Sequence, residues 1–260
     1  CEIVSKALDR SIFIDLSKAF DTISHDKLLS KLDNYGIRGN ANKLIASYLS
    51  SRHQYVSVLG EDSDKLPVLF GVPQGSCLGP LLFIIYINDI FRTSELGKFV
   101  LFADDTNIFV VDQCRKRVYK KANEILSLVQ LYMKCNLLHI NIKKCCYIHF
   151  KPSRNDDTVV EDEVLTINNV VIKQVRETKF LGVIIDDKLN WGAHIKSLNS
   201  KLKCEIGKLC RIRHVIPRKH YKDLYHTLIE SHLRFGISVW GGVSCLLYTS
   251  DAADDRVRVV

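Results

Sequence analysis

The chain has 260 residues, of which 47% are hydrophobic and 25% are charged, and its formal net charge at pH 7 is +8. This balance is ordinary for a globular protein with a sizeable core, and the length allows one large domain or two small ones. The longest strongly apolar stretch, residues 80–87, is far shorter than the ~20 residues that cross a bilayer. The composition therefore excludes a membrane-spanning helix, and we expect no membrane partner.

The charges are unevenly distributed along the chain. Residues 1–110 carry 11 basic and 13 acidic side chains, whereas residues 191–240 carry 10 basic and 3 acidic ones. A basic block beside an acidic half indicates a polyanion that is held by one part while chemistry takes place in the other. A solvated basic helix face is an equally simple explanation, and charge alone does not separate the two.

The nine cysteines form no CxxC pair, and their number is odd. Most lie among apolar residues, which is typical of reduced core thiols in an intracellular protein. A zinc site is the alternative for one set, although its spacing matches no standard pattern and a plain helical face explains it as well. This set comprises Cys204, Cys210, His214 and His220.

The predicted elements of the first 92 residues alternate between strands and helices. Ser24 is a plausible N-cap, Gly36 a stop, and Pro80 suits the first turn of a helix, where its missing N–H costs little. The elements are a β-rich run ending near Asp15, helices over 24–37 and 39–52, a strand pair over 54–60 and 65–72 joined by a polar turn, and a long buried helix over 76–92.

Residues 98–111 set two adjacent carboxylates, Asp104 and Asp105, inside an apolar run. Unpaired in a dry interior, each would cost several kcal/mol or take up a proton. Apolar residues on both sides of the polar segment "DDTN" predict a two-stranded hairpin with an accessible polar tip. The carboxylates are therefore expected at the rim of a sheet.

The remaining elements follow from periodicity and composition. They are an amphipathic helix over 116–136, a strand over 138–150, a polar surface loop over 151–163, a β-rich stretch over 164–186, and helices from Trp191 to Trp240 broken at 214–220. Residues 246–260 lose every pattern and resemble a translated vector junction, so they are excluded from fold reasoning. The start of the chain lacks Met and a signal peptide, which suggests an excerpt of a longer protein.

Paired carboxylates at a hairpin tip suit metal-assisted phosphoryl transfer, because two divalent cations ~4 Å apart can stabilise both the attacking and the leaving oxygen. Mg²⁺ prefers a few carboxylates together with substrate phosphates. Asp15, at the end of the first strand, is the best candidate for a third ligand, and Asp21 is the competitor, although it also fits an N-terminal capping role. A solvated β-turn explains Asp104 and Asp105 without any chemistry.

Three motifs in this order and spacing resemble the core motifs of reverse transcriptases, in the wording of non-LTR (LINE-like) retrotransposons. They are "FIDLSKAFDT", "GVPQGSCLGPLLFIIYINDI" and "LFADDTNIFV". The resemblance covers residues 1–240 and implies an α+β fold, with a polymerase palm of antiparallel sheet packed on helices, followed by a mostly helical thumb. It implies a palm over 1–163, a primer-grip hairpin over 164–190 and a basic thumb over 191–240. Residues 241–260 lie beyond the resemblance and are expected to form an atypical tail.

The resemblance also implies roles for single residues. Asp15, Asp104 and Asp105 match the carboxylates that hold two Mg²⁺ ions, with Mn²⁺ as an alternative, and the carbonyl of Leu16 often assists. Phe20 matches the bulky residue that excludes a ribose 2′-hydroxyl. The turn that lines the incoming nucleotide and template corresponds to Pro73, Gln74 and Gly75.

Further residues correspond to the leaving-group and primer contacts. Lys144 matches a general acid for the pyrophosphate, although adjacent Lys143 leaves the register open by one residue, and Cys145 stands where the family often has Thr. The hairpin that grips the primer corresponds to Phe180, Leu181 and Gly182. The implied partners are an RNA template, a DNA primer and deoxynucleoside triphosphates.

The resemblance leaves three functional hypotheses. The first is RNA-templated DNA synthesis as part of a retrotransposon polyprotein, acting in the cytoplasm and nucleus. The second is another palm-type nucleotidyltransferase, such as an RNA-templated RNA polymerase, which Phe20 disfavours. The third is a non-catalytic or decayed, maturase-like RNA-binding remnant. Because the fingers and the endonuclease of the polyprotein are missing from this stretch, we expect the isolated chain to have little polymerase activity.

Overall fold

The computed structural model describes residues 8–112, 114–150 and 164–242. The described residues form two compact units, one made of residues 8–149 and 164–175 and the other of Phe150 and residues 176–242. The predicted loop over 151–163 and the patternless segment over 246–260 lie outside the described residues. The division into palm, primer grip and thumb stays a prediction.

The first unit contains a central sheet, helices and several two-residue strands. Its elements are β1 (Leu8–Ile14), α1 (His25–Asn34), α2 (Gly39–Leu49), β2 (His53–Gln54), β3 (Ser57–Val58), β4 (Glu61–Asp62), β5 (Leu66–Pro67), α3 (Leu78–Ile87), β6 (Lys98–Phe102), β7 (Asp105–Asp112), α4 (Arg115–Cys135), β8 (Cys146–Phe150), β9 (Thr166–Ile167), β10 (Val170–Val171) and β11 (Lys173–Gln174).

The central sheet has five strands in the order β11-β8-β1-β7-β6. The pairs β1–β7 and β7–β6 are antiparallel, whereas the short edge strand β11 pairs with β8 in parallel. Ile14 lies opposite Thr106, and Phe102 lies opposite Asp105 in the β6–β7 hairpin. The mixed sheet packed with helices confirms the predicted α+β architecture at this level.

The core of the first unit forms where apolar strand residues meet α3 and α4. Strand residues 12 and 14 of β1 and 108 and 110 of β7 are almost fully buried. Helix α4 contributes one apolar stripe, as its 3.6-residue periodicity predicted. The stripe consists of Val118, Ala122, Ile125, Leu126, Val129 and Met133.

Both predicted ends of α1 are confirmed, whereas the helix predicted over 39–52 already ends at Leu49. Ser24 caps α1, with its hydroxyl accepting from the Lys27 backbone N–H, and Gly36 follows the helix with a positive φ of 90°. A glycine just past a helix can take this left-handed conformation without a Cβ penalty. Pro80 lies in the first turn of α3, as predicted.

The hairpin tip is shorter than predicted. Its two-residue turn is Ala103–Asp104, because Asp105 already pairs with Phe102. Thr106 and Asn107, which the pattern placed in the accessible tip, belong to β7 and are each 1% exposed. Asn107 is tolerated there because its Oδ1 accepts a hydrogen bond from the Ser11 hydroxyl at 2.6 Å.

Three further predictions were wrong in detail. The buried helix over 76–92 ends at Ile87 and continues as a 3₁₀ helix, and its outer face, including Leu81 and Ile84, is exposed. Of the strand over 138–150 only Cys146–Phe150 forms, because the preceding residues turn toward β1 and Ile140 bridges Leu16. The strand pair over 54–60 and 65–72 is reduced to two-residue strands.

The cysteine environments also differ from the prediction. Among the described cysteines, Cys145 is the buried one and is a free thiol, whereas four others are exposed, three of them on helices and Cys77 just before α3. The exposed ones are Cys77, Cys135, Cys204 and Cys210. Apolar neighbours in sequence do not report exposure: Met133, near Cys135, packs inward on another face of α4, whereas Ile206, near Cys204, is itself exposed.

The second unit consists of one hairpin and a series of helices. Its elements are β12 (Glu177–Phe180), β13 (Val183–Asp186), α5 (Gly192–Ile212), α6 (Tyr221–Tyr225), α7 (Ser231–Arg234) and α8 (Ile237–Trp240). Val183, Leu198 and Trp240 form its small core. The predicted helical block with a break is confirmed, since α5 ends at Ile212. Within the described ranges, no helix is long and apolar enough to cross a membrane.

Candidate active site

Asp15 directly follows β1, where the chain leaves the sheet between β7 and the segment around residue 140. Its backbone carbonyl accepts a hydrogen bond from the Asn141 N–H at 2.8 Å, and the Ser17 N–H donates to the His139 carbonyl at 2.8 Å. These bonds on both sides hold the backbone of Asp15 in place. The Asp15 side chain is about one third exposed.

The β6–β7 hairpin brings Asp104 and Asp105 to the same end of the sheet. Ala103, the first turn residue, has a positive φ of 51°, which the right-handed twist of a two-residue hairpin favours. Because Ile14 pairs with Thr106, the next residues outward are Asp15 and Asp105. Residues that face each other on antiparallel strands lie on one face of the sheet, so the register brings the two carboxylates together.

The carboxylates repel one another in the absence of a cation. Partial desolvation of the Asp105 carboxyl, followed by the charges of Asp104 and Asp15, raises its pKa above the ordinary value, although the side chain is exposed. In addition, the Oδ2 atom of Asp15 is buried and has no hydrogen-bond partner. A cluster of carboxylate oxygens that repel one another favours a bound cation.

Lys144 lies beside this cluster. Its Nζ is 3.7 Å from Oδ2 of Asp15, and its side chain is largely exposed. Within the described ranges Lys143 has no such ion pair, so the geometry brings Lys144 rather than Lys143 to the carboxylates. The neighbouring Cys145 is buried, and burial raises the pKa of its thiol to about 11, so the thiol stays neutral.

The residues fit a divalent cation in their chemistry. Oxygen ligands on carboxylates suit Mg²⁺, which completes its shell with water and substrate phosphates. Among the described residues, no three His, Cys, Asp or Glu side chains are already gathered closely enough to hold a metal. This finding includes the four residues considered for zinc. The residues that would hold a divalent cation are Asp15, Asp104 and Asp105, together with water and substrate oxygens.

A 3₁₀ turn after β1, Ala19–Asp21, positions Phe20. The Phe20 ring packs on Phe83 of α3 with centroids 4.7 Å apart, and it is half-buried. The Phe20 carbonyl accepts from the Val72 N–H at 2.9 Å, which ties this turn to the start of the Pro73–Gly75 segment. Leu16 is buried at the bridge to Ile140.

The segment Pro73–Gly75 forms an exposed turn. The Ser76 hydroxyl donates to the Pro73 carbonyl at 2.7 Å, and the Gln74 amide donates to Asp21 Oδ1 at 2.9 Å. Gly75 has a φ of 82°, and nothing lies within 4 Å of where its Cβ would be. The backbone of Gly75 is thus open to a close ligand.

Sequence reasoning misjudged or missed two residues near this turn. Asp21 does not cap α1, which Ser24 does; instead it fixes the side chain of Gln74. Gly71 has a φ of 83°, and a Cβ there would lie 2.8 Å from the Asp21 Cα. The dipeptide "FG" before "VPQG" carried no signal for this packing, because the close approach is to a residue 50 positions earlier in the chain.

In the second unit, the predicted primer-grip residues form the tip of the β12–β13 hairpin. Leu181 and Gly182 are the turn residues, with φ of 47° and 84°, and Phe180 ends β12. A Cβ at Gly182 would lie 2.8 Å from the Phe235 ring. Phe235 therefore packs closely on the turn.

Fold and site together define a mixed α/β protein with an acidic cluster at one end of its central sheet. The family model described as "Reverse transcriptase (RNA-dependent DNA polymerase)" matches residues 5–185, and the chain belongs to this family. The reverse transcriptase resemblance stated from the motifs is therefore confirmed.

Curated relatives come from insect mobile elements. The "Probable RNA-directed DNA polymerase from transposon BS" of Drosophila melanogaster is 26% identical over 250 residues, covering 89% of this chain and 26% of the relative. The "RNA-directed DNA polymerase from mobile element jockey" of Drosophila funebris is 28% identical over 241 residues, with shares of 89% and 26%. The chain thus spans about a quarter of the length of these relatives.

Solved structures of low similarity include "Structure of apo telomerase from Candida Tropicalis". It matches with a TM-score of 0.48 and 13% sequence identity, covering 69% of this chain and 31% of the telomerase chain.

Proposed function

We propose that this chain is the palm and thumb of an enzyme that copies an RNA template into DNA from the 3′ end of a DNA primer. The observation that supports the proposal best is the strand register, which brings Asp15 to Asp105 beside the Asp104 turn and Lys144. The reaction is attack of the primer 3′-hydroxyl on the α-phosphate of a deoxynucleoside triphosphate, with pyrophosphate as the leaving group.

The three carboxylates would hold two Mg²⁺ ions, or Mn²⁺ in their place. When bound, such ions neutralise phosphate charge and activate the primer hydroxyl. The chain contributes acceptors that are already crowded, since Asp105 is repelled by Asp104 and Asp15. The Lys144 ammonium, largely exposed and free to turn from Asp15 to a substrate, would donate a proton to the leaving pyrophosphate.

The nucleotide would bind between the turn of Phe20 and the segment Pro73–Gly75. The Phe20 ring packs on Phe83 and forms a rigid surface, and a ribose 2′-hydroxyl would clash with this ring. Gly75 presents open backbone, and Gln74 presents an amide whose position Asp21 fixes. These features support a pocket that orients a deoxyribonucleotide beside the carboxylates.

The second unit would hold the nucleic-acid strands. Residues 191–240 carry 10 basic and 3 acidic side chains, and α5 presents much of this charge on exposed positions. Contacts of Lys and Arg with backbone phosphates give affinity without sequence preference. The β12–β13 hairpin would contact the primer end through Phe180, Leu181 and Gly182. The endonuclease and fingers would belong to other regions of the same polyprotein.

A primer-extension assay tests the proposal. The chain should be assayed alone and within a longer product of its own reading frame, with an RNA template, a DNA primer and Mg²⁺. Asp104→Asn should lower extension by ~100-fold or more, because a carboxylate at a metal site contributes several kcal/mol to the transition state. Asp26→Asn removes the same charge from an exposed position in α1 and should leave extension unchanged.

The outcomes separate the hypotheses. Deoxynucleotide incorporation that is lost in Asp104→Asn supports reverse transcription. Ribonucleotide incorporation of similar efficiency would support an RNA-templated RNA polymerase instead. Template binding without any extension, in the longer product as well, would favour the non-catalytic RNA-binding remnant.

A further inference from the structure

A cavity of about 90 Å³ lies within the second unit, between the β12–β13 hairpin and α5. This volume is large enough for a few waters or one tetrahedral oxyanion, and too small for a nucleoside. Its α5 residues recur at the i, i+3, i+4 and i+7 positions of one helix face. The lining residues are Lys179, Gly182, Ile184, His194, Ser197, Leu198 and Lys201.

His194 supplies an unpaired donor at this cavity. It is 7% exposed, and its Nδ1 accepts a hydrogen bond from the Ile184 backbone N–H at 3.4 Å. Because Nδ1 is the acceptor, the proton of the neutral ring is on Nε2. That atom is buried and has no hydrogen-bond partner. A buried donor without an acceptor destabilises the fold, so a ligand that accepts from Nε2 would recover this loss.

The other polar side chains at the cavity are also donors. The side chains of Lys179, Lys201 and Ser197 make no hydrogen bond or ion pair with any residue in the part of the chain that the structure describes. Among the described residues no carboxylate lines the cavity, and Ile184 and Leu198 provide apolar walls that strengthen a charge interaction. Two ammonium groups, an imidazole N–H and a hydroxyl form a site for an anion.

We propose that this cavity binds a single phosphate group of a nucleic-acid strand, through Lys179, Lys201, Ser197 and Nε2–H of His194. The anion class follows from the cavity alone. The nucleic-acid source rests on the proposed function, because the β12–β13 hairpin is the predicted primer grip. The site would thus fix one position along the strand, in contrast to the diffuse attraction of the remaining basic side chains.

The first experiment tests the anion site without nucleic acid. Inorganic phosphate is titrated into the whole chain while the ¹H–¹⁵N resonances of the His194 ring are followed. We expect Nε2–H of His194 to shift with saturation in the wild type. Lys201→Gln should weaken this binding by ~10-fold, as expected for one charged hydrogen bond. The side chain of Lys201 is exposed, so this variant should fold.

The matched control is Lys196→Gln, which removes the same charge from an exposed position of α5 that does not line the cavity. The shift of the His194 resonance with phosphate should be retained in this variant. Absence of any phosphate-dependent shift in the wild type, or equal weakening by Lys196→Gln and Lys201→Gln, would overturn the anion site.

The second experiment tests the nucleic-acid source. A neutral methylphosphonate linkage is moved one position at a time along the primer, then along the template, and binding to the chain is measured by fluorescence anisotropy. One position should weaken wild-type binding ~10-fold and have a clearly smaller effect in Lys201→Gln, because the contact of Lys201 with that phosphate is already lost in the variant. In Lys196→Gln that position should retain its full effect.

The two experiments fail in distinguishable ways. The loss of affinity caused by a methylphosphonate could be the same in Lys201→Gln as in the wild type at every position. If the response to inorganic phosphate were intact at the same time, this result would overturn the nucleic-acid assignment and leave an anion site. An intact phosphate response with no binding of primer and template would instead count against the nucleic-acid binding in the proposed function, and with it against the source named here.

Discussion

At the scale of single residues, the candidate site is organised by repulsion. Asp105 has a raised pKa because of partial desolvation and the charges of Asp104 and Asp15, and Asp15 Oδ2 is buried without a hydrogen bond. Such an arrangement costs stability when no cation is present, which is common where function and stability compete. The cost can be measured by removing one of the charges.

Asp105→Asn should stabilise the metal-free chain at neutral pH. The raised folded-state pKa means that the charged form is disfavoured in the folded state, so the wild type loses stability as pH rises through that pKa. The gain from the amide should be small, ~0.5 kcal/mol or less after solvent screening, and should vanish below the ordinary Asp pKa. Urea unfolding at pH 7 and near pH 3 measures this difference.

Asp112→Asn provides the comparison of opposite sign on the same strand. Hydrogen bonds from Lys121 and from the Cys114 N–H lower the pKa of Asp112, so its charge stabilises the folded state above the unfolded pKa. This variant should be less stable than the wild type at pH 7, with the difference shrinking as the pH falls. A loss of stability in Asp105→Asn at pH 7 would contradict the repulsion argument.

Phe20 should control the choice of sugar. In Phe20→Ala the ratio of kcat/KM for deoxynucleotides to that for ribonucleotides should fall ~10–100-fold, because one bulky group in a pocket contributes ~1–3 kcal/mol to discrimination. The control Phe83→Leu loosens the packing beneath the ring, whose centroid lies 4.7 Å away, but keeps the ring of Phe20. Steady-state incorporation of both nucleotide types gives the ratio, and an unchanged ratio would exclude Phe20 as the selector.

At the scale of elements, the Pro73–Gly75 turn depends on two glycines for different reasons. Gly71→Ala places a Cβ 2.8 Å from the Asp21 Cα and 2.9 Å from the Phe20 carbonyl oxygen, at a φ of 83°. It should destabilise the chain by ~2 kcal/mol or more, because backbone must shift as well as adopt a left-handed conformation. Urea unfolding measures the change.

Gly75→Ala is the matched comparison, with a φ of 82° and nothing within 4 Å of the new Cβ. Only the left-handed cost of ~1–2 kcal/mol should appear. Since the open backbone is proposed to face the nucleotide, this variant should also raise the KM for nucleotides. Equal stability losses in the two variants would show that the contact of Gly71 with Asp21 is not tight.

How far the sequence predicted these elements depended on the range of the interactions involved. Ser24 and Gly36 act within their own helix, so local chemistry was sufficient to predict both ends of α1. The hairpin was predicted from apolar residues on both sides of Asp104, but its length was not, because Asn107 is stabilised by Ser11, 96 positions earlier. Local composition predicts a turn at Asn107, whereas its hydrogen bond with the distant Ser11 allows this residue to lie in a strand.

The same reasoning explains a partly buried network that no pattern indicated. The Lys31 ammonium donates to Asp89 at 2.7 Å and to the Tyr86 carbonyl at 2.6 Å, which joins α1 to the end of α3. Tyr132 of α4 donates to the same Asp89 carboxylate. The sequence alone predicts a solvated helix charge at Lys31, whereas the packing of three helices covers most of its side chain. The candidate site was more predictable because its residues belong to three recognisable motifs.

At the scale of the whole molecule, the division of charge follows the division of labour that we propose. Residues 1–110 hold the carboxylates and have a slight acidic excess, with 13 acidic and 11 basic side chains. Residues 191–240 hold the basic excess. An acidic site alone would repel a nucleic acid, so the basic helices must supply most of the long-range attraction. This separation predicts which charges determine the salt dependence.

Binding of a primer–template duplex should weaken steeply with salt, by ~100-fold or more between 50 and 200 mM, if five or so phosphates are neutralised. The double variant Lys196→Gln/Lys203→Gln in α5 should reduce the slope of log K against log salt by about 2, one for each lost contact. The matched double variant Lys116→Gln/Lys120→Gln removes the same charge from exposed positions of α4 and should change the slope much less. Fluorescence anisotropy at several salt concentrations measures all three slopes. Equal slope changes in the two double variants would show that attraction depends on net charge alone, and that the basic helices have no special part in holding the strands.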